Sequence, residues 1–242
     1  MKKLVLSLLL LCCTLGMNAT TYLVSVGIAN YAYINNLVST EKDVALINNV
    51  YSRHTNQVYT LLGSQATHDN VLATLRRVFG QAGRNDAVVF FFSGHGLPGG
   101  FCCYDTRDEY SSLTYTELQQ VFRSCRAARK MVFADACYSG GMRVSGNHSD
   151  RTSEVRNGDV MFFLSSRTNE KSIENGRQSF FTKYLERGLR GNADKNKDRI
   201  ITAKELYDFV HSNVSSVTRN RQHPVMWGRF NNTMTVLNWN RR

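Results

Sequence analysis

The chain has 242 residues, of which 42% are hydrophobic and 20% charged, and it holds only two prolines. That composition excludes a disordered or fibrous chain and leaves enough apolar material for one large α/β core. The formal net charge of +11 favours anionic surroundings, yet the basic residues are scattered. The densest group, Arg123, Arg126, Arg129 and Lys130, flanks a predicted helix without interleaved aromatics, so a solvated face is expected there rather than a specific nucleic-acid site.

In chain order, Met1-Lys2-Lys3 is followed by an apolar segment, Leu4 to Leu15, and then by Asn18-Ala19. A charged start, a short apolar segment and a small residue make a secretory signal over 1–19. The remainder, 20–242, is expected to be a single domain that is secreted or periplasmic. A lipid anchor is disfavoured, since neither Cys12 nor Cys13 follows a small residue. The apolar segment is too short to cross a bilayer and no later one is longer, so no membrane span is expected. Losing the leader removes Lys2 and Lys3, which takes +11 to +9, and leaves four of the six cysteines: Cys102, Cys103, Cys125 and Cys137. Those four do not form a disulfide framework, although an oxidising compartment would allow Cys125 to pair with Cys102 or Cys103.

Tyr22 to Ile28 is the first predicted strand. Thr40 to Arg53 then reads as a helix with Val44, Ile47 and Tyr51 on one face, and Gln57 to Leu62 as a second strand. Thr67-His-Asp-Asn70 opens a helix whose Val71, Leu75, Val78 and Phe79 keep helical spacing. The uninterrupted apolar run Ala87-Val-Val-Phe-Phe-Phe92 is a third strand, buried on both faces as in a parallel sheet. An irregular segment follows, Leu97 to Ser112, then a helix over Thr114 to Cys125 with Leu118, Val121 and Phe122 inward. A fourth strand over Met131 to Ala134 comes next, and a fifth over Val160 to Leu164. Alternation of strand and helix at this spacing implies a mostly parallel central sheet of about six strands with helices on both faces. Ser179 to Leu189 is predicted as an amphipathic helix, and the tail from His223 to Leu237 as a closing edge strand and its return.

Two of these strands end in complementary chemistry. The third runs into Ser93-Gly94-His95-Gly96, the fourth into Asp135-Ala-Cys137-Tyr-Ser-Gly140. Loops at the carboxyl ends of parallel strands line the crevice where ligands bind, so His95 and Cys137 are expected to meet there. An imidazole beside a thiol takes its proton and makes a nucleophile near neutral pH, and the flanking glycines let backbone N–H groups face an oxyanion. Taken alone, either residue is more often structural; placed at equivalent strand ends, the pair points to catalysis.

These two motifs resemble the caspase-like cysteine peptidases, and the aspartate two residues before the cysteine is similar to the metacaspase and bacterial orthocaspase branch. The resemblance implies a caspase-like fold and a thiol endopeptidase acting through a His95/Cys137 dyad and a thioester. It assigns the oxyanion to the Gly96 and Cys137 amides. It implies polypeptide substrates with Arg or Lys before the scissile bond, the basic side chain being held by Asp43, Ser93 and Asp135. Asp43 has a competing role as a cap on the helix from Thr40. A pocket with two carboxylates holds a guanidinium and rejects an acidic side chain.

The segment 142–159 separates the two halves and carries Arg143, Arg151 and Arg156. In the family such a junction is a self-processing site; an ordinary surface loop is the alternative. Further on, Asp194, Asn196, Asp198 and Glu205 match positions one, three, five and twelve of a calcium-binding EF-hand loop, but Arg199 replaces the turn glycine. The competing role of Thr202-Ala-Lys-Glu205 is a helix capping box, and no cofactor is required by the dyad. Two other functions stay open: a non-catalytic caspase-like module that binds peptides or scaffolds partners, and a basic protein whose charge alone carries adhesion.

Overall fold

The structure is a computed structural model that describes residues 19–137, 159–167, 170, 172–173 and 178–240. Five parallel strands make up most of one sheet: β1 (Thr21–Gly27), β2 (Val58–Leu62), β3 (Ala87–Ser93), β7 (Arg129–Asp135) and β8 (Asp159–Leu164). A sixth strand, β10 (Val225–Arg229), lies antiparallel to β8, and the spatial order is β10-β8-β7-β3-β1-β2. The predicted sheet of about six mostly parallel strands is therefore present, with β3 and β7 side by side at its centre.

The apolar run in β3 shows why a buried parallel strand needs no alternation. Val88, Phe90 and Phe92 face one layer with α2 (His68–Phe79) and α3 (Tyr115–Ser124), while Ala87, Val89 and Phe91 face the other. That second layer holds α1 (Thr40–Tyr51), α4 (Phe180–Arg187) and α5 (Ala203–Val217), through Val44, Ile47, Phe181, Leu185, Leu206 and Val210. All seven β3 residues are buried, and each buried phenylalanine contributes about 2–3 kcal/mol of transfer free energy. No helix among the described residues is long and apolar enough to cross a membrane.

Local chemistry sets the helix starts. Thr67, Thr114, Ser179 and Thr202 each accept a hydrogen bond from a backbone N–H three residues on, and Glu117 and Glu205 return the bond as capping boxes. The helix expected over Ser179 to Leu189 ends sooner, in a wider turn over Gly188–Asn192 where Gly191 takes φ 115, a left-handed conformation open to glycine.

Two other expectations are corrected, for the segment Leu97 to Ser112 and for Lys130, and two open points are filled in, the return of the tail and the state of the cysteines. The segment Leu97 to Ser112 is not wholly irregular: β4 (Gly96–Leu97), β5 (Gly100–Phe101) and β6 (Leu113–Thr114) form a small antiparallel sheet around the stacked Phe92 and Phe101 rings. The tail does not return within the main sheet, because β11 (Thr235–Asn238) pairs with β9 (Ile200–Thr202). Cys102, Cys103, Cys125 and Cys137 are all free thiols, so Cys125 pairs with neither Cys102 nor Cys103. Lys130 does not belong to a solvated face. It is fully buried, its ammonium donating to the Phe122 carbonyl at 2.7 Å, and burial pushes its pKa down. The junction 142–159, with Arg143, Arg151 and Arg156, lies outside the described residues apart from Asp159.

Candidate active site

The last residues of β3 and β7, Ser93 and Asp135, are direct partners in the sheet, and the Gly94 N–H donates to the Asp135 carbonyl at 3.2 Å. Each strand therefore releases its loop at the same level. A side chain on Gly96 would collide with the Cys137 carbonyl oxygen, so the loops carrying His95 and Cys137 touch there, backbone to backbone. One pocket is lined by His95, Cys137, Ser93, Asp135 and Asp43. The five side chains expected from sequence to form the site, separated by up to 94 positions, thus surround a single cleft. Gly96 lies against Cys137 beside it.

His95 is held at two points. Its Nε2 lies 2.8 Å from the Asn35 carbonyl, which can only accept, so Nε2 carries the proton and the lone pair of the neutral ring is left on Nδ1. Its backbone N–H donates to the Tyr31 hydroxyl at 2.7 Å, and the two rings lie 5.0 Å apart. Cys137 is half-buried, whereas the other three thiols are buried. Burial pushes the Cys102 thiol up to about 11 and raises Cys103 and Cys125 as well, which keeps all three as unreactive thiols. The residue before Cys137 is braced from β8's end, where Ser165 Oγ accepts from the Ala136 N–H and donates to its carbonyl.

The two carboxylates have different environments. Asp43 lies in the first turn of α1. It is 1% exposed, and its oxygens accept from Ser93 Oγ at 3.1 Å and from the Ser179 N–H at 3.3 Å. Asp135 is 5% exposed and more heavily engaged: Ser172 Oγ donates to Oδ1 at 2.5 Å, while Oδ2 accepts from the Ser179 hydroxyl, from Thr182 Oγ1 at 2.7 Å and from Thr182 N–H at 3.2 Å. Burial raises its pKa, and these hydrogen bonds pull in the opposite direction without cancelling the rise. Asp43 and Asp135 thus meet at Ser179, and Asp135 sets the positions of Ser172, Ser179 and Thr182.

Sequence reading missed this supporting shell. Ser179 carried a visible signal as a helix cap, and Thr182 follows it by one turn. Tyr31, Asn35, Ser165 and Ser172 gave none, nor did Gln222, whose amide donates to the Ser165 carbonyl at 2.8 Å and accepts from the Ile173 N–H at 2.9 Å.

The candidate calcium residues lie on a separate loop between α4 and α5. Asp194 Oδ2 accepts from Arg199 N–H, Asn196 and Asp198 bond one another, and Asp198 Oδ1 accepts from Ile200 N–H. Glu205 is committed to Thr202 by the capping box, and only Asp194 Oδ1 is buried without a partner. Among the described residues no three His, Cys, Asp or Glu side chains converge on a metal position. Arg199 stands at the sixth position of the loop with φ 66, where a calcium loop has glycine.

A thiol and an imidazole on touching loops at the carboxyl end of a mostly parallel, helix-covered sheet define a caspase-like α/β protein. The chain belongs to the caspase-domain family, whose model matches residues 22–234; its members are cysteine peptidases acting on polypeptides, some of them inactive. A crystal structure of a protein from Geobacter sulfurreducens is similar, with a TM-score of 0.64 at 15% identity over 87% of this chain and 93% of that one; this likeness shows the fold alone. No curated protein matches the chain.

Proposed function

We propose that the chain is a secreted or periplasmic cysteine endopeptidase of the metacaspase and orthocaspase kind, cutting polypeptides after Arg or Lys. The observation that carries this reading is the pocket in which two buried carboxylates, Asp43 and Asp135, lie beside the half-buried Cys137 thiol and the His95 imidazole. A guanidinium or ammonium leaving water is offset there by opposite charge, whereas a third carboxylate is repelled.

In this reading His95 Nδ1 removes the Cys137 proton and the thiolate attacks the carbonyl carbon of the bound residue. The Gly96 and Cys137 amides receive the oxyanion. The imidazolium then gives its proton to the leaving amine, and water, activated by the same ring, releases the acid from the thioester. The leader 1–19 supports export. Arg143, Arg151 and Arg156 supply basic sites for self-cleavage at the junction.

The test is hydrolysis by purified 20–242 protein of matched peptides bearing Arg, Lys or Asp before a reporter amine. Release from the Arg and Lys peptides, with Cys137 labelled by a thiol-reactive peptide mimic, is the expected result. Binding of the same peptides without turnover or labelling would replace the enzyme by a non-catalytic peptide-binding module, and salt-sensitive adhesion to polyanions that survives loss of Cys137 would mark a basic surface-binding protein.

A further inference from the structure

His95 hangs on a short loop that the catalytic reading does not account for. The loop leaves β1, closes with the Leu37 N–H on the Ala29 carbonyl at 2.7 Å, and is tied to the segment after β5 by the Ala32 N–H on the Tyr104 carbonyl at 3.0 Å. Within it, the Tyr31 N–H donates to Asn36 Oδ1 at 2.9 Å. Tyr31 is 8% exposed, and its ring packs into the core layer of α2 and α3. Its hydroxyl is thus a fixed point. Gly94 is shaped around it, since a side chain there would come within 2.6 Å of the Tyr31 oxygen.

We infer that Tyr31 is a positioning residue for His95: its hydroxyl holds the His95 main chain so that Nε2 stays on the Asn35 carbonyl and Nδ1 stays free for the thiol. The inference rests on the peptidase reading above. Burial raises the Tyr31 phenol above its usual range, so the hydroxyl stays neutral wherever the enzyme works and does not itself exchange a proton in the reaction.

The bond from Nε2 to the Asn35 carbonyl keeps the proton on that nitrogen, so loosening the loop lets the neutral ring carry its proton on Nδ1, the atom the thiol needs bare. Cys137, Asp43 and Asp135 across the pocket, and Cys102, whose N–H donates to the His95 carbonyl, are unchanged by Tyr31→Phe.

The experiment compares wild type, Tyr31→Phe and Tyr31→Leu in the 20–242 protein. It measures the His95 ring nitrogen shifts by NMR, which report the nitrogen that carries the proton, with kcat and KM on an Arg peptide, and Tm. Phe keeps the buried ring and removes only the acceptor. The expected result is a kcat lower by about tenfold, a KM within about twofold, and ring nitrogen shifts that move toward the tautomer protonated on Nδ1. Tyr31→Leu should show the same shift with a larger loss of Tm. Unmoved ring nitrogen shifts in Tyr31→Phe, with only Tm lowered, would overturn the inference and leave Tyr31 a packing residue. A wild type that cuts no peptide, yet shows the ring shift, would sink the peptidase reading and leave the positioning role standing.

Discussion

Asp135→Asn separates charge from shape in the pocket. The structure shows how the amide is accommodated: its oxygen faces Thr182 N–H and the Ser179 and Thr182 hydroxyls, as Oδ2 does now, and its nitrogen faces Ser172 Oγ, which can rotate to accept. The fold should therefore survive with a change of about 1 kcal/mol or less. The pocket loses one of its two carboxylates, and truncating one member of a buried, hydrogen-bonded charge pair costs about 2–5 kcal/mol. The lower half of that range applies, because four donors already spread the Asp135 charge and Asp43 remains. A loss of roughly 2.7 kcal/mol corresponds to two decades in kcat/KM on Arg and Lys peptides. The assay is the ratio of kcat/KM for matched Arg and Asp peptides in wild type and variant, with Tm as the check on folding. An unchanged ratio in a folded variant would refute the placing of the specificity pocket at Asp135.

Cys137→Ala and His95→Ala should each abolish peptide cleavage while Tm stays within a few degrees of wild type, because both residues leave the sheet on loops; near-wild-type turnover in either would refute the dyad. A thiol reagent at neutral pH should label Cys137 alone in the native 20–242 protein and all four cysteines after denaturation, as burial raises the other three; mass spectrometry finding Cys102 or Cys125 labelled first would contradict it. The raised Asp135 pKa favours the protonated carboxyl in the fold, so its stabilisation is present in acid and lost as pH rises through the folded value. The Tm of wild type relative to Asp135→Asn should therefore fall between acid and neutral pH, and a difference that grows with pH would show the opposite sign. Arg199 holds φ 66, so Arg199→Gly should stabilise the protein by about 0.5–1 kcal/mol in denaturant melts, and calcium should leave wild-type Tm and activity unchanged; a calcium-dependent activity loss on Glu205→Gln would overturn the geometric reading of that loop.

What the sequence by itself determined is what short-range physics can encode. The apolar run Ala87 to Phe92 needed burial on both faces, and the helical spacing of Val71, Leu75, Val78 and Phe79 needed one buried stripe; both are in place. Helix starts at Thr67, Thr114 and Thr202 are set by a hydroxyl and an N–H three residues apart, a distance the chain cannot change. The motif residues Ser93, His95, Asp135 and Cys137 were legible for a related reason, since adjacent parallel strands in register bring their ends together. The tertiary structure alone decided the rest, because its partners are far apart in the chain: Tyr31 and His95 by 64 positions, Asp43 and Ser93 by 50, Asp135 and Ser179 by 44, Ser165 and Gln222 by 57. No local pattern marks such a pair, since each residue is an ordinary polar side chain until the sheet stacks its loops. Asp43 shows the difference most directly. From the sequence it fits a helix cap as well as a pocket; in the fold the first turn of α1 lies over the ends of β1 and β3, and that packing turns the carboxylate to Ser93 and into the cleft.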